Sequence, residues 1–343
     1  MKFKKIAAAV LSAALAAMCA GCSSNTSADS NSADVSAADK DSITVGVIQY
    51  GSHPSLDNCY QGVEEGLMAS EYADKIVIDR QDGNFDSATC DTIAKNMASK
   101  NYDLIFAIAT PAAVSAYSAT QNSQTPVIFT AVSDPVAAGL VESLEAGSKN
   151  CIGTSDVLDL DSQVALIKAL QPDVKTIGVL YTTSEANSVS QLASLEEIAG
   201  AAGITIESQG VQGAADVPQA AATLASKVDC INNFTDNNVV SNLSVLLEKA
   251  NAAGVPVYGS EVEQVKNGCI ASISIDYVAL GRKTAEMGIE VLNGTDPSTM
   301  AVGTISEGTP VVNTDVLAQF GIELPADYAN AEKVTTAAEE AAE

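Results

Sequence analysis

The sequence predicts an α/β protein of two doubly wound parallel-sheet lobes joined by hinge strands. Three observations carry that expectation. From Ile43 onward, short apolar segments alternate with amphipathic stretches long enough for helices of about 12–18 residues. The segments are apolar throughout instead of alternating, as strands covered on both faces must be. There are also too many of them for one comfortable sheet, and the rhythm restarts near residue 157.

The elements follow in order. "ITVGVIQY" (43–50) reads as a strand, and a helix near 54–70 opens at His53-Pro54. Proline suits the first helical position and holds the preceding residue extended. "KIVIDRQD" (75–82) leads to a helix near 87–100, and "YDLIFAIA" (102–109) to one near 111–121. There Thr110 is the expected N-cap, with Pro111 behind it. "PVIFTAV" (126–132) closes this set, and "CIGTSD" (151–156) resumes the pattern before a helix near 161–170. "TIGVLYT" (176–182), a helix near 185–202 capped by Ser184, "ITIESQGV" (204–211) and a helix near 217–227 come next. "CINNF" (230–234), a helix near 237–253 capped by Asp236, and "VPVYGS" (255–260) continue the alternation. "CIASISIDYVALGRKTAEMGIEVLNG" (269–294) is a further strand–helix unit, and "TPVVNTDVLAQFGI" (309–322) adds a last short strand and helix.

The expected crossovers lie near 277 and 306. They give a first lobe of 41–157 plus 277–305 and a second of 158–276 plus 306–329. The tail 330–343, which includes "AEKVTTAAEEAAE", reads as an acidic fraying helix or disorder.

The amino terminus sets the compartment. Lys2, Lys4 and Lys5 precede the apolar stretch Ile6–Met18, which is too short to span a bilayer as a helix. Residues 1–21 therefore read as a signal peptide. "CAGC" resembles a bacterial lipobox, which makes Cys22 the lipidated new terminus; Cys19 stands where an aliphatic residue is usual. A plain secreted protein or an uncleaved anchor is the alternative. Residues 22–40 are too polar to fold and read as a tether. The expected location is extracytoplasmic and lipid-anchored, on the outer face of the plasma membrane or in the periplasm.

Composition excludes several classes. The net charge is −26, from 17 Lys+Arg against 43 Asp+Glu, which leaves no basic face for nucleic acid. Cys59, Cys90, Cys151, Cys230 and Cys269 are odd in number and have no C-x-x-C spacing, so they read as small buried hydrophobes instead of metal or redox groups. His53 is the single histidine. No nucleophile elbow, dinucleotide fingerprint, phosphate loop or zinc-helix motif is present. A carboxylate pair is not excluded by count, but nothing selects one. No enzyme, cofactor or metal is expected.

Ligands of open parallel sheets bind beyond the carboxyl ends of the strands. The residues there form an unusual collection: "GSHPSLD" (51–57), "TPAA" (110–113), "TAVSDP" (130–135), "SEANS" (184–188), "FTDNNV" (234–239), "GSEVEQV" (259–265) and "SIDY" (274–277). Each can be read as a helix cap, and a helix start facing a cleft is also an anion site. Hydroxyls and amides from 110, 130–133 and 184–188 suit a carboxylate. Asp134, Glu185, Asp236, Glu261 and Asp276 suit an ammonium. The mixture fits a small zwitterion such as an amino acid.

With these segments in place the chain resembles the bacterial ABC-transporter substrate-binding lipoproteins of the tryptophan/tyrosine type. The stretches that carry the resemblance are "VGVIQYGSHPSLD", "DLIFAIATPAA", "PVIFTAVSDPVAAGLV", "TIGVLYTTSEANSVSQ", "FTDNNVV" and "SIDYVALGRKTAEM", spread over residues 43–322. The resemblance implies a type I periplasmic-binding-protein fold whose lobes close on a ligand, with a permease and its ATPase as partners. By position it implies contacts at Ser52, His53, Asp57, Thr110, Thr130, Ser133, Asp134, Ser184, Glu185, Asn187, Ser188, Asp236, Asn237, Glu261 and Asp276. This chain departs from the family at Ser52, where relatives tend to be acidic, and at Tyr50-Gly51, where an aliphatic pair is usual.

The chain has no Trp and only 4% aromatic residues. A stacking cage would draw on Tyr50, Tyr60, Phe129, Tyr181, Phe234 or Tyr258. A signalling receptor of the same fold, or a sugar or nucleoside binder, is the alternative.

Overall fold

The computed structural model describes residues 40–305 and 308–336. The stretch read as a signal peptide, Cys22 and the end of the acidic tail lie outside the described residues.

The first half alternates β1 (Ile43–Gln49), α1 (Pro54–Met68), β2 (Ile76–Asp82), α2 (Ser87–Ser99), β3 (Leu104–Ile108), α3 (Thr110–Thr120), β4 (Val127–Thr130) and β5 (Cys151–Ser155). Then come α4 (Leu160–Leu170), β6 (Thr176–Thr182), α5 (Ala186–Ala201), β7 (Thr205–Val211), α6 (Val217–Ala225) and β8 (Cys230–Asn232). Next are α7 (Asn237–Ser241), α8 (Leu243–Ala253), β9 (Val257–Tyr258), α9 (Val262–Lys266) and β10 (Ala271–Ser274). The chain ends in α10 (Tyr277–Leu292), β11 (Gly303–Thr304), β12 (Thr309–Asn313), α11 (Thr314–Phe320) and β13 (Glu332–Val334).

One sheet runs β11-β5-β4-β3-β1-β2 and another β7-β6-β8-β9. Every pairing in both is parallel. A third sheet, β10-β12-β13, is antiparallel between β10 and β12 and parallel between β12 and β13. Backbone bonds from Ile270 N to Val257 O (2.7 Å) and from Gly259 N to Ala271 O (2.9 Å) tie it to β9.

The apolar strands explain the layers. β3 and β4 are buried at every position, so helices must cover both faces of the first sheet. Its core gathers Val47, Ile105, Phe106, Ile128 and Phe129. Helix α10 returns to this lobe and packs on α1 through two glycines. A Cβ at Gly62 would lie 2.1 Å from Val278 O, and one at Gly281 would lie 2.2 Å from Cys59 O. The second sheet has its own cores, around Ile177, Val179 and Phe234 on one face and Leu180, Ile231 and Leu246 on the other.

Three local expectations change. The helix near 237–253 is two helices, α7 and α8, parted at Asn242 (φ −115°, ψ 23°), whose side-chain amide donates to Asn238 O at 2.8 Å. Asparagine competes with helix continuation by such bonds. Glu261 opens an extra short helix, α9. Residues 332–334, read as part of a fraying or disordered tail, form β13 on β12; Ala331 is buried in the second core beneath it. The five cysteines at 59, 90, 151, 230 and 269 are free and buried.

The glycine contact makes a prediction. Gly281→Ala should destabilise the protein by about 1–3 kcal/mol, because two helix backbones must part. Gly200→Ala, where a Cβ would meet no atom within 4 Å, should stabilise by about 0.4–1 kcal/mol. Chemical denaturation measures both, and equal effects would contradict the packing described.

Candidate functional site

The carboxyl ends of the two parallel sheets face each other, and side chains bridge the space. Gln191 Nε2 donates to Ser133 Oγ at 2.7 Å, and Ser190 Oγ donates to Asp134 Oδ2 at 2.5 Å. His53 Nε2 lies 3.5 Å from Asn237 Oδ1. A cavity of about 440 Å³ opens beside this seam, lined from both sides by Ser133, Asp134, Val136, Leu158, Ser190 and Gln191.

The start of α3 departs from expectation. Thr110 is the first helical residue, and the cap position belongs to Ala109 at φ 79°, ψ 154°, a conformation that is nearly glycine's alone. Ala131, after β4, is also left-handed at φ 53°. Such backbone costs about 1–3 kcal/mol per residue and persists where the surrounding structure holds it, as at binding sites. Thr110 is thereby buried with its hydroxyl unpartnered beside the first free amides of α3.

Thr110 is not alone. His53 Nδ1, Asn187 Oδ1, Gln191 Oε1 and Asn233 Oδ1 are also buried without a partner. These residues lie beyond strand ends or in the first two turns of the helices that follow; Asn232 Nδ2, in β8, and Gln124 Oε1, between α3 and β4, are unpartnered as well. A buried polar group left unpaired costs about 1–3 kcal/mol, and His53 and Gln191 carry theirs where the two edges touch, at Asn237 and Ser133.

The acids behave otherwise. Asp134, Asp236, Glu261 and Asp276 accept from the amides of Ala137, Val239, Gln264 and Ala279, as caps. Asp236 also takes the Thr182 amide (2.5 Å) and hydroxyl (2.7 Å). Glu185 reaches across to the start of α7, accepting from Asn237 N (3.0 Å) and Asn237 Nδ2 (2.6 Å). Glu185, Asp236 and Glu261 are buried, while Asp276 is exposed.

Burial, followed by the nearby charge of Asp236, pushes the Glu185 carboxyl up to about 8. Burial pushes Glu261 up to about 7. Burial also lowers His53 to about 4, so its ring is neutral near pH 7.

The remaining expected residues divide. Asp57 is held by Gln49 Nε2 (2.8 Å), Ser52 Oγ (2.8 Å) and Arg80 Nη2 (3.0 Å), so Ser52 serves Asp57. Thr130 lies inside the first lobe, accepting from Thr154 Oγ1 at 3.1 Å. Ser188 is buried beside Asn187. Ser184 is exposed, and the cap of α5 is Glu185, one residue later.

Sequence reasoning missed two features. Asp156, buried at the end of β5, accepts from Ser133 Oγ (3.0 Å) and Tyr277 OH (2.8 Å); its only signal was the acid closing "CIGTSD". Phe85 lies edge-on to Tyr50 (ring centroids 5.8 Å apart) and parallel to His53 (6.3 Å). Of the aromatic residues expected to form a cage, Phe129, Phe234 and Tyr258 are core residues, and Tyr60 lies beneath Arg80. Among the described residues no His, Cys, Asp and Glu group is placed to hold a metal ion, and no helix is long and apolar enough to cross a membrane.

Comparison with known proteins agrees with this architecture. A family model described as ABC transporter substrate binding protein matches residues 44–335. The chain is 38% identical over 320 residues to a tyrosine-binding protein of Clostridioides difficile (strain R20291), covering 92% of each. It is similar to the structure of the ABC domain from Streptococcus pneumonia in complex with L-Trp, with a TM-score of 0.83 at 36% identity over 85% of this chain and 99% of that one. It is also similar to the ligand-free, open structure of a substrate binding protein with adhesive properties from Clostridium difficile. There the TM-score is 0.66 at 38% identity, over 86% of this chain and 100% of that one. At nearly equal identity, the backbone lies nearer the complexed relative than the open one. The fold is that of type I periplasmic binding proteins.

The buried acids dictate a pH dependence. A carboxyl raised in the folded state binds its proton more tightly there than when unfolded. Its contribution to stability therefore falls as pH rises from the unfolded value of 4.5 to the folded one of about 8 for Glu185 and about 7 for Glu261. His53, lowered from 6.5, acts oppositely, but only below 6.5. Between pH 6.5 and 8 the unliganded protein should therefore lose on the order of 1–2 kcal/mol. Glu185→Gln should flatten that slope in denaturant titrations; an unchanged slope would refute the assignment.

Proposed function

The chain belongs to the ABC transporter substrate-binding protein family, and on that premise we propose that its lobes close on one aromatic amino acid. The bound molecule would be handed to a membrane permease driven by its ATPase. One observation carries the reading: unpartnered buried polar atoms stand on both facing edges, Thr110 Oγ1 and His53 Nδ1 in one lobe and Asn187 Oδ1 and Gln191 Oε1 in the other.

An amino acid supplies complementary groups for such a seam. Its carboxylate is read onto the α3 amides and the Thr110 hydroxyl, where a helix start favours negative charge. Its ammonium is read toward Glu185, the buried acid whose raised protonation an ammonium would reverse. His53, Ser133, Asn187, Ser188, Gln191, Asn233 and Asn237 would complete the hydrogen bonding. Asp236, Glu261 and Asp156 would hold that shell in place; Ser52, Asp57, Thr130, Asp134 and Asp276 would support the loops behind it.

Closure is a population shift toward the state that the ligand contacts on both sides. The ring-binding names of relatives and the nearness to an L-Trp complex support an aromatic ligand. No chemistry follows capture, so the ligand should be recovered unchanged after long incubation.

The amino-terminal segment is read as a lipoprotein signal, with Cys22 lipidated and the protein extracytoplasmic. Two or more acyl chains give stable anchoring. Cys22→Ser should release the protein from the membrane fraction; retention there would refute lipid anchoring.

A thermal-shift screen tests the ligand class. L-tyrosine and L-tryptophan should raise Tm in proportion to ligand excess over Kd, with sugars and nucleosides inert. A response to sugars or nucleosides alone would refute the amino-acid reading.

A further inference from the structure

We propose that Phe85, seated in the space left by Gly51, is the residue that makes the site select an aromatic side chain. This rests on the amino-acid reading above and adds a determinant to it.

Phe85 follows β2 at the carboxyl edge of the first sheet and precedes α2, whose cap is Asp86. Both Asn84 (φ 51°) and Phe85 (φ 58°) adopt the left-handed conformation. For a bulky side chain that is a genuine outlier. Gly83, one residue earlier, could take this conformation without cost, yet it is not among the residues that do.

The chain holds the outlier in place. Phe85 N donates to Tyr50 O at 2.8 Å, and Tyr50 OH donates back to Phe85 O at 3.0 Å. Asn84 N donates to Asp82 Oδ1 at 2.6 Å.

What this arrangement achieves is the placement of one ring. A Cβ at residue 51 would lie 2.3 Å from Phe85 Cε1, so only glycine there lets the ring lie where it does. The ring is half-buried and parallel to His53, which touches Asn237 of the other lobe. Tyr50, edge-on to it, is buried. Phe85 is thus a half-buried aromatic ring set beside His53, at the edge that meets the other lobe. A ligand ring would gain offset or edge-on aromatic contact with it, which a branched aliphatic side chain would not.

Calorimetric titration of the purified protein with L-tyrosine, L-tryptophan and L-leucine tests this. The wild type should prefer the aromatic pair. Phe85→Leu should weaken L-tyrosine and L-tryptophan about tenfold or more while changing L-leucine by less than about threefold. Gly51→Ala, which keeps the ring but displaces it, should shift selectivity the same way, and it serves if F85L fails to fold. A tyrosine-to-leucine affinity ratio unchanged in whichever variants fold would overturn the role of Phe85 while leaving amino-acid capture standing. A wild type that binds none of the three would overturn both.

Discussion

A hydrogen-bonding group removed from water must find another partner, and parallel sheets concentrate that demand at one edge. Every β–α connection leaves free amides at a helix start beside the carboxyl end of its strand. In this molecule two such edges meet. Most of the polar groups brought together satisfy one another, but Thr110 Oγ1, His53 Nδ1, Asn187 Oδ1, Gln191 Oε1 and Asn233 Oδ1 do not. The rest of the architecture keeps them there: apolar strands anchor each edge, and α10 crosses back to brace the first lobe through the Gly62–Gly281 contact.

The acids at the seam are held in different ways. Asp236 is committed to Thr182 and to α7, and Glu261 to α9. Glu185 spans two elements of its own lobe, and burial raises its carboxyl well above the usual range. On the proposed reading, an ammonium arriving between the lobes would lower that carboxyl again and couple closure to ligand charge. His53, neutral near pH 7, sets one ring nitrogen against Asn237 of the other lobe.

Much of this was legible in the sequence, for a physical reason. Strands β1, β3, β4 and β6 are short apolar runs buried almost throughout, while the edge strands β2 and β7 keep polar residues on an open face. The loops beyond them named most of the seam residues. The rest is tertiary. Nothing local says that Ala109 takes a glycine-like conformation, which moves Thr110 from cap to first helical residue. Asp57 reads as a ligand acid until Arg80, 23 residues away, claims it. Phe85 sits in "DGNFD", a stretch of turn formers, and only the folded chain sets its ring against Gly51. The strand at 332–334 is too short for periodicity to reveal, and it exists because β12 offers it an edge.

The most direct test is the crystal structure of the protein with L-tyrosine bound. The account predicts the ligand between the lobes, with a carboxylate oxygen about 3 Å from Thr110 Oγ1 and from an amide of α3. The other orphaned atoms should be paired to the ligand or to bridging water. A ligand bound elsewhere, or the same five atoms still unpaired around it, would contradict the account.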